Sequence, residues 1–173
     1  MSSPRILITG ASGSGTTTLG RVLATRLRCA FYDADDYYWL PSDPPFQRKQ
    51  EPGIRASRLL EALQNASATV LAGSILNWGV EIEDSFSLIV FLTVPAEIRV
   101  ARLRERELQR FGRVDPAFLA WAAQYDAGTL EGRSRSKHEG WLAKRSCTVL
   151  RIDGDTSTEW RLAQVLGVLN ITS

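Results

Sequence analysis

Residues 10–18 read GASGSGTTT and follow the apolar, branched run RILIT. Against the spacing G-x-x-x-x-G-K-[ST], Gly10 and Gly15 take the two glycine places and Thr17 the hydroxyl place, while Thr16 stands where lysine is expected. Such a loop holds phosphate chiefly through its backbone. Glycines allow a tight turn of consecutive N–H groups, and a helix starting near Thr16 presents its positive end to an anion. Gly10, Ala11, Ser12, Gly13, Ser14, Gly15, Thr16, Thr17 and Thr18 are therefore the candidate nucleotide-binding residues. Thr17 is the candidate hydroxyl ligand for magnesium, and Thr16 or Thr18 a donor to a phosphate oxygen. What the loop lacks is a cation between the terminal phosphates, a loss of about 3 kcal/mol in a phosphoryl-transfer transition state unless another cation fills in.

Further chemistry-bearing residues follow. DADDYYW sets Asp33, Asp35 and Asp36 just past a second short apolar run, where an acid can orient an acceptor hydroxyl, take its proton, or hold magnesium through water. Tyr37, Tyr38, Trp39 and Phe46 either wall a pocket or form a private hydrophobic cluster of their loop. Arg55 and Arg58 share one helical face at i and i+3, a clamp for an anionic substrate, and Gly73 would let the backbone approach a ligand. Arg102, Arg106 and Arg110 recur every four residues, and EGRSRSKHEGW adds Arg133, Arg135 and Lys137. This set is the expected source of the missing cation. His138, the only histidine, lies in a charged segment and is expected at the surface or in a cap.

The elements that must position these groups alternate between strand and helix. RILIT, AFYDADD, ATVLAG, LIVFLTV and TVLRID read as five strands, the second ending in acids and the fourth continuously apolar as in a parallel sheet buried on both faces. Leu19, Val22, Leu23 and Leu27 mark a first helix, and Leu59, Leu60 and Leu63 a helix beginning near Pro52 or Ile54. Pro95 is placed in the first turn of a helix that buries Ile98, Ala101 and Leu108 and ends at Gly112. Asp115 caps a helix that Gly128 can end, and Thr156 with Glu159 forms a capping box for the last one. The Pro- and aromatic-rich stretch between Tyr37 and Gly53 is expected as a surface excursion. This alternation predicts an α/β parallel sheet carrying its ligands at the carboxyl ends of the strands.

At 173 residues, 44% of them apolar, the chain suits a single domain spanning residues 1–173. No apolar run approaches the roughly 18 residues of a membrane-spanning helix, which excludes a helical membrane protein. A net charge of +2 gives no sign of nucleic-acid binding, and Cys29 and Cys147 lack metal or disulfide spacing, so a cytoplasmic location is expected. TGASGSG also fits the looser spacing of NAD-binding loops, with Asp33 and Asp35 where a ribose-binding acid would lie. Three threonines in place of a third glycine, no Tyr-x-x-x-Lys and the short chain weigh against that reading.

In order, the variant loop, DADD, LAGS and FLTVPAEIRVARLRERELQRFG resemble the adenylate kinase and shikimate kinase branch of the P-loop kinases. The resemblance implies a three-layer P-loop NTPase fold with a five-stranded parallel sheet of order 2-3-1-4-5 and a helical lid at roughly 111–140. It implies ATP and magnesium as cofactors and transfer of the terminal phosphate to a small-molecule acceptor. It makes Gly10 to Thr18 the ATP loop and Thr17 the magnesium hydroxyl. Asp33 and Asp35 become the metal-side and acceptor-side acids, and Arg106 or Arg110 the lid arginines. Nucleotide monophosphate kinases carry a GFPR-like arginine where this chain has GSILNWG, and the glycine run of shikimate kinases is reduced to Gly73. The acceptor therefore stays open, as does a nucleotide-binding regulator without turnover.

Overall fold

Five runs of branched and apolar residues form the strands of one parallel sheet. The structure is a computed structural model that describes residues 4–128 and 133–171. The chain runs β1 (Arg5–Gly10), α1 (Thr16–Leu27), β2 (Ala30–Asp33), α2 (Ala34–Tyr38), β3 (Trp39–Leu40), β4 (Arg48–Lys49) and α3 (Pro52–Asn65). It continues through β5 (Thr69–Ala72), α4 (Val80–Glu83), β6 (Leu88–Thr93), α5 (Ala96–Phe111), α6 (Pro116–Ala123), α7 (Arg135–Leu142), β7 (Thr148–Asp153) and α8 (Thr158–Val168). The sheet order is β2-β5-β1-β6-β7. Counting only its five strands this is 2-3-1-4-5; the chain numbering differs because β3 and β4 form a separate antiparallel hairpin.

The period-two alternation of β1 divides the core. Leu7 faces a layer with Leu59, Leu63, Leu71, Phe91 and Trp141, while Ile6 and Ile8 face Leu19, Leu23, Val70, Val90, Val165 and Leu166. Helices thus cover both faces, in three layers. Each fully buried Leu or Ile contributes about 1.5–3 kcal/mol. All five strands point their carboxyl ends to one edge, where Gly10, Asp33, Gly73, Thr93 and Asp153 emerge.

Several boundaries differ from expectation, each for a local reason. The excursion after Asp33 contains α2 and the hairpin, held by Trp39 against Phe46 at 5.9 Å and by Tyr38 against Trp39 at 4.7 Å. Pro95 is the N-cap of α5, one residue before the helix. The buried side of α5 carries Arg99 and Leu103, while Ala101 and Leu108 are exposed, because the underlying surface offers polar carbonyls to a guanidinium. On α1 the buried residues are Leu19, Gly20, Leu23 and Ala24, leaving Val22 outside. The helix capped by Asp115 stops at Ala123, well before Gly128. Ser157, not Thr156, caps α8 by accepting from the Trp160 N–H, and Thr156 instead accepts from Arg161. The expected lid includes residues 129–132, which lie outside the described residues.

Candidate functional site

The loop after β1 turns sharply enough to require glycine. Gly13 and Gly15 have φ of 84° and 90°, in the left-handed region that costs other residues about 1–2 kcal/mol. A Cβ on Gly13 would also meet the Arg99 carbonyl oxygen at 2.7 Å. The loop leads into α1 at Thr16, where the first N–H groups of the helix have no intrahelical partner. A cavity of about 180 Å³ opens there, lined by Gly13, Gly15 and Thr16 to Thr18 and, from α5, by Arg102, Leu103 and Arg106. The place where lysine is absent therefore faces two arginines.

Thr17 and Asp33, far apart in sequence, meet beside this cavity. The Thr17 hydroxyl donates to Asp33 Oδ2 at 2.9 Å, and Asp33 Oδ1 accepts from the Asp35 N–H at 3.0 Å. One carboxylate thus ties the first turn of α1 to the turn that carries Asp35. Burial pushes the Asp35 carboxyl above the usual carboxylate range, against the pull of Arg133 and Arg106; Asp33 and Asp36 add to the rise. Arg106 lies within the field of Asp35 and Asp33, and burial is the main cause of its lowered pKa.

Three guanidiniums, Arg102 among them, hold the loop from its carbonyl side. Arg99 donates to Ser12 O at 3.4 Å, Arg102 to Gly13 O at 3.4 Å and Arg161 to Ser14 O at 2.7 Å. Arg99 is 1% exposed and also binds Val94 O, Ala122 O and the Asp126 carboxylate, the last at 2.7 Å. Arg102 pairs with Asp155. Arg133 donates to the Ser12 hydroxyl at 2.9 Å, with its guanidinium 5.4 Å from the Trp121 ring centre.

Beneath the loop lies the histidine. His138 is fully buried, contrary to its expected surface or capping place. Its Nδ1 is 2.6 Å from the Tyr125 hydroxyl, and its Nε2 is 3.1 Å from Ser74 Oγ and 3.5 Å from Thr9 Oγ1. Either neutral tautomer satisfies this arrangement, with one ring nitrogen donating and the other accepting. Burial, with Arg133 adding to it, lowers the imidazole pKa to about 3. The ring joins α7 to the ends of β1 and β5.

On the far side of Asp35, the Arg55 guanidinium sits 4.6 Å from the Tyr38 ring centre and 4.9 Å from that of Trp78. Its Nε is buried without a hydrogen-bond partner among the described residues. Arg58, exposed, lies 5.6 Å over Tyr37. Gly73 has φ of 116° and would place a Cβ 2.8 Å from that of Ala34, so packing and backbone alone explain its identity.

The structure therefore brings together Gly10 to Thr18, Asp33, Asp35 and Arg106. It does not bring Arg110, which lies one turn further along α5, exposed over Phe111 and outside the cavity lining. Its place in the i+4 stripe is right, but the helix carries it past the loop. Arg135 turns to Asp126, 3.8 Å away. Sequence reasoning left Arg161 out altogether; an arginine four residues before Val165, on the apolar stripe of a helix, is the signal that marks it.

A glycine loop at the carboxyl end of a central parallel strand, with an acid at the end of the next strand in the chain and arginines facing it, defines a P-loop kinase-type fold. Comparison with known proteins agrees: the AAA domain family, AAA_18, matches residues 6–111, more than half of the chain, and the chain belongs to it, with the fold of adenylate/shikimate kinase-like P-loop proteins. The chain is 41% identical to the uncharacterized protein YqaC of Bacillus subtilis, over 95% of this chain and 97% of that one. It is 32% identical to a shikimate kinase of Nitrobacter winogradskyi over 58% of this chain and 52% of that enzyme. Among solved structures, shikimate kinase from Bacteroides thetaiotaomicron superimposes with a TM-score of 0.63 at 20% identity, over 97% and 99% of the two chains. A sugar kinase from Janibacter gives 0.62 at 19% identity, over 98% and 96%. These likenesses establish the fold. No helix among the described residues is long and apolar enough to cross a membrane.

Proposed function

We propose that this protein is an ATP-dependent kinase of a small metabolite that carries an anionic group. The observation that carries the reading is the Thr17–Asp33 bond, which sets a hydroxyl and a carboxylate side by side at the mouth of the glycine loop. The residues fit the cofactors: Gly10 to Thr18 offer a left-handed glycine turn and a helix start for the phosphates. Thr17 and Asp33 offer the one or two oxygen ligands that magnesium takes from a protein when phosphates supply others. When bound, ATP supplies the phosphoryl group, and magnesium offsets the charge on its oxygens.

The chain's own groups then have distinct tasks. Asp35, with its raised pKa, orients the acceptor hydroxyl and takes its proton. Arg106, rather than Arg110, stabilises charge on the transferred group, with Arg102 and Arg133 close by. Arg55, held between two rings with one N–H unused, receives the acceptor's anionic group, and Arg58 and Gly73 border that side. The segment 111–140 acts as a lid within a single domain, in the cytoplasm.

Calorimetric titration of ATP with and without magnesium, followed by an acceptor screen of anionic polyols and sugar acids, tests the reading. Magnesium-dependent binding and turnover that Asp35→Asn abolishes are expected. Nucleotide binding with turnover equal to buffer across the screen would favour the second reading, which Thr16 supports: a regulator that binds nucleotide without transfer. Failure to bind ATP would sink both.

A further inference from the structure

Of the three guanidiniums bound to successive loop carbonyls, two are neutralised by acids and one is not. Arg99 pairs with Asp126 and Arg102 with Asp155. Arg161 is 4% exposed, and all three of its hydrogen bonds go to neutral oxygens: Ser14 O at 2.7 Å, Thr156 Oγ1 at 2.9 Å and Gly154 O at 3.0 Å. No carboxylate lies within ion-pair distance of it among the described residues; its nearest acidic influence is Asp155, already engaged by Arg102.

A buried charge without a counter-charge is costly, and folded proteins rarely keep one unless something offsets it. This one sits directly against the phosphate loop. A Cβ added at Gly15, the residue before Thr16, would lie 3.1 Å from Arg161 Nη1. The Ser14 hydroxyl beside it is fully buried and has no hydrogen-bond partner among the described residues. Two unmet demands therefore meet behind residues 14 and 15: a cation lacking an anion and a polar oxygen lacking a partner.

We propose that Arg161 is a positioning residue that supplies, through the loop backbone, the positive charge which the lysine missing at position 16 would otherwise bring to the polyphosphate. It touches the loop and not the nucleotide. Donation to the Ser14 carbonyl polarises the peptide whose N–H belongs to Gly15, making that N–H a stronger donor, and the net charge adds its field at short range. The residue comes from α8, far outside the matched span 6–111, so the loop is completed by the last helix of the chain. The inference rests on the nucleotide-binding reading given above.

The test compares wild type, Arg161→Gln and Arg161→Lys. Glutamine keeps an N–H donor for the Ser14 carbonyl without charge; lysine keeps the charge with poorer geometry. Each is checked for folding by circular dichroism and melting without ligand. Each is then titrated with inorganic tripolyphosphate, which has no base or ribose, and with ATP. Wild type is expected to bind both. Arg161→Gln should lose about tenfold in affinity for tripolyphosphate, equivalent to about 1.4 kcal/mol, and a similar factor for ATP. Arg161→Lys should stay within about threefold of wild type even if its melting temperature falls. Equal affinities of wild type and Arg161→Gln would overturn the proposal while leaving the kinase reading intact, and so would equal losses in both variants, the mark of a purely structural residue. If wild type bound neither ligand, the kinase reading would fall and this inference with it.

Discussion

His138 makes stability depend on pH with a sign that follows from its burial. The ring is neutral when folded, with a pKa of about 3 against 6.5 for an unperturbed imidazole. Below pH 6.5 the unfolded chain takes up a proton that the folded chain refuses, so stability falls with falling pH, beginning near 6.5 and continuing to about 3. Between pH 7 and pH 5 the linkage amounts to about 2 kcal/mol. The figure holds for any folded value below about 4, since the folded ring is then neutral at pH 5. Carboxyls held high in the folded state, Asp35 and Asp36, act in the opposite sense, adding stability as pH falls. Urea denaturation of wild type and His138→Gln at both pH values isolates the effect, since this is the chain's only histidine. The variant should be less stable than wild type at pH 7, having lost bonds to Tyr125 and Ser74, yet should lose less than about 0.5 kcal/mol on going to pH 5. A wild type that keeps its stability down to pH 5, or a variant with the same slope, would refute the reasoning.

Gly13→Ala should lower stability by about 2 kcal/mol or more and abolish ATP binding, because a Cβ there meets both a left-handed φ and the Arg99 carbonyl. Urea titration and calorimetry read the two effects, and near-wild-type values in both would contradict the loop geometry. Thr17→Val keeps shape and removes the hydroxyl bonded to Asp33. Stability should change by about 1 kcal/mol or less, while the gain in ATP affinity on adding magnesium disappears; a full gain retained would separate Thr17 from the metal.

The five sheet strands and the glycine loop were legible because period-two and continuous apolar runs are local patterns, and because Gly10, Gly15 and Thr17 keep a fixed spacing; the order of the strands came only from the resemblance to a known family. The acids at the end of β2 were legible for the same reason, each being placed by the strand before it. The arginines were legible as a set but not one by one. Spacing by four puts Arg102, Arg106 and Arg110 on one face of α5, yet only the position of α5 over the loop decides that the first two face the cavity. His138 was misjudged because charged neighbours in sequence say little about a helix whose inner side packs against Phe91, Tyr125 and the ends of two strands. Arg161 escaped because its reason is an uncapped carbonyl 147 positions away in the chain. The hairpin β3–β4 escaped because aromatic contact across a Pro-rich loop has no period to detect.

The sheet order also sets a schedule for synthesis. The central strand, β1, is synthesised before its partners, which come much later: Arg5 pairs with Thr69, and Ile6 with Leu88. Non-local parallel pairing of this sort is slow, because chain closure must precede the contacts that reward it. The glycine loop is translated before its partners, and three of its carbonyls wait for guanidiniums at positions 99, 102 and 161. A nascent chain halted before α8 therefore carries the complete loop motif in an unfinished form.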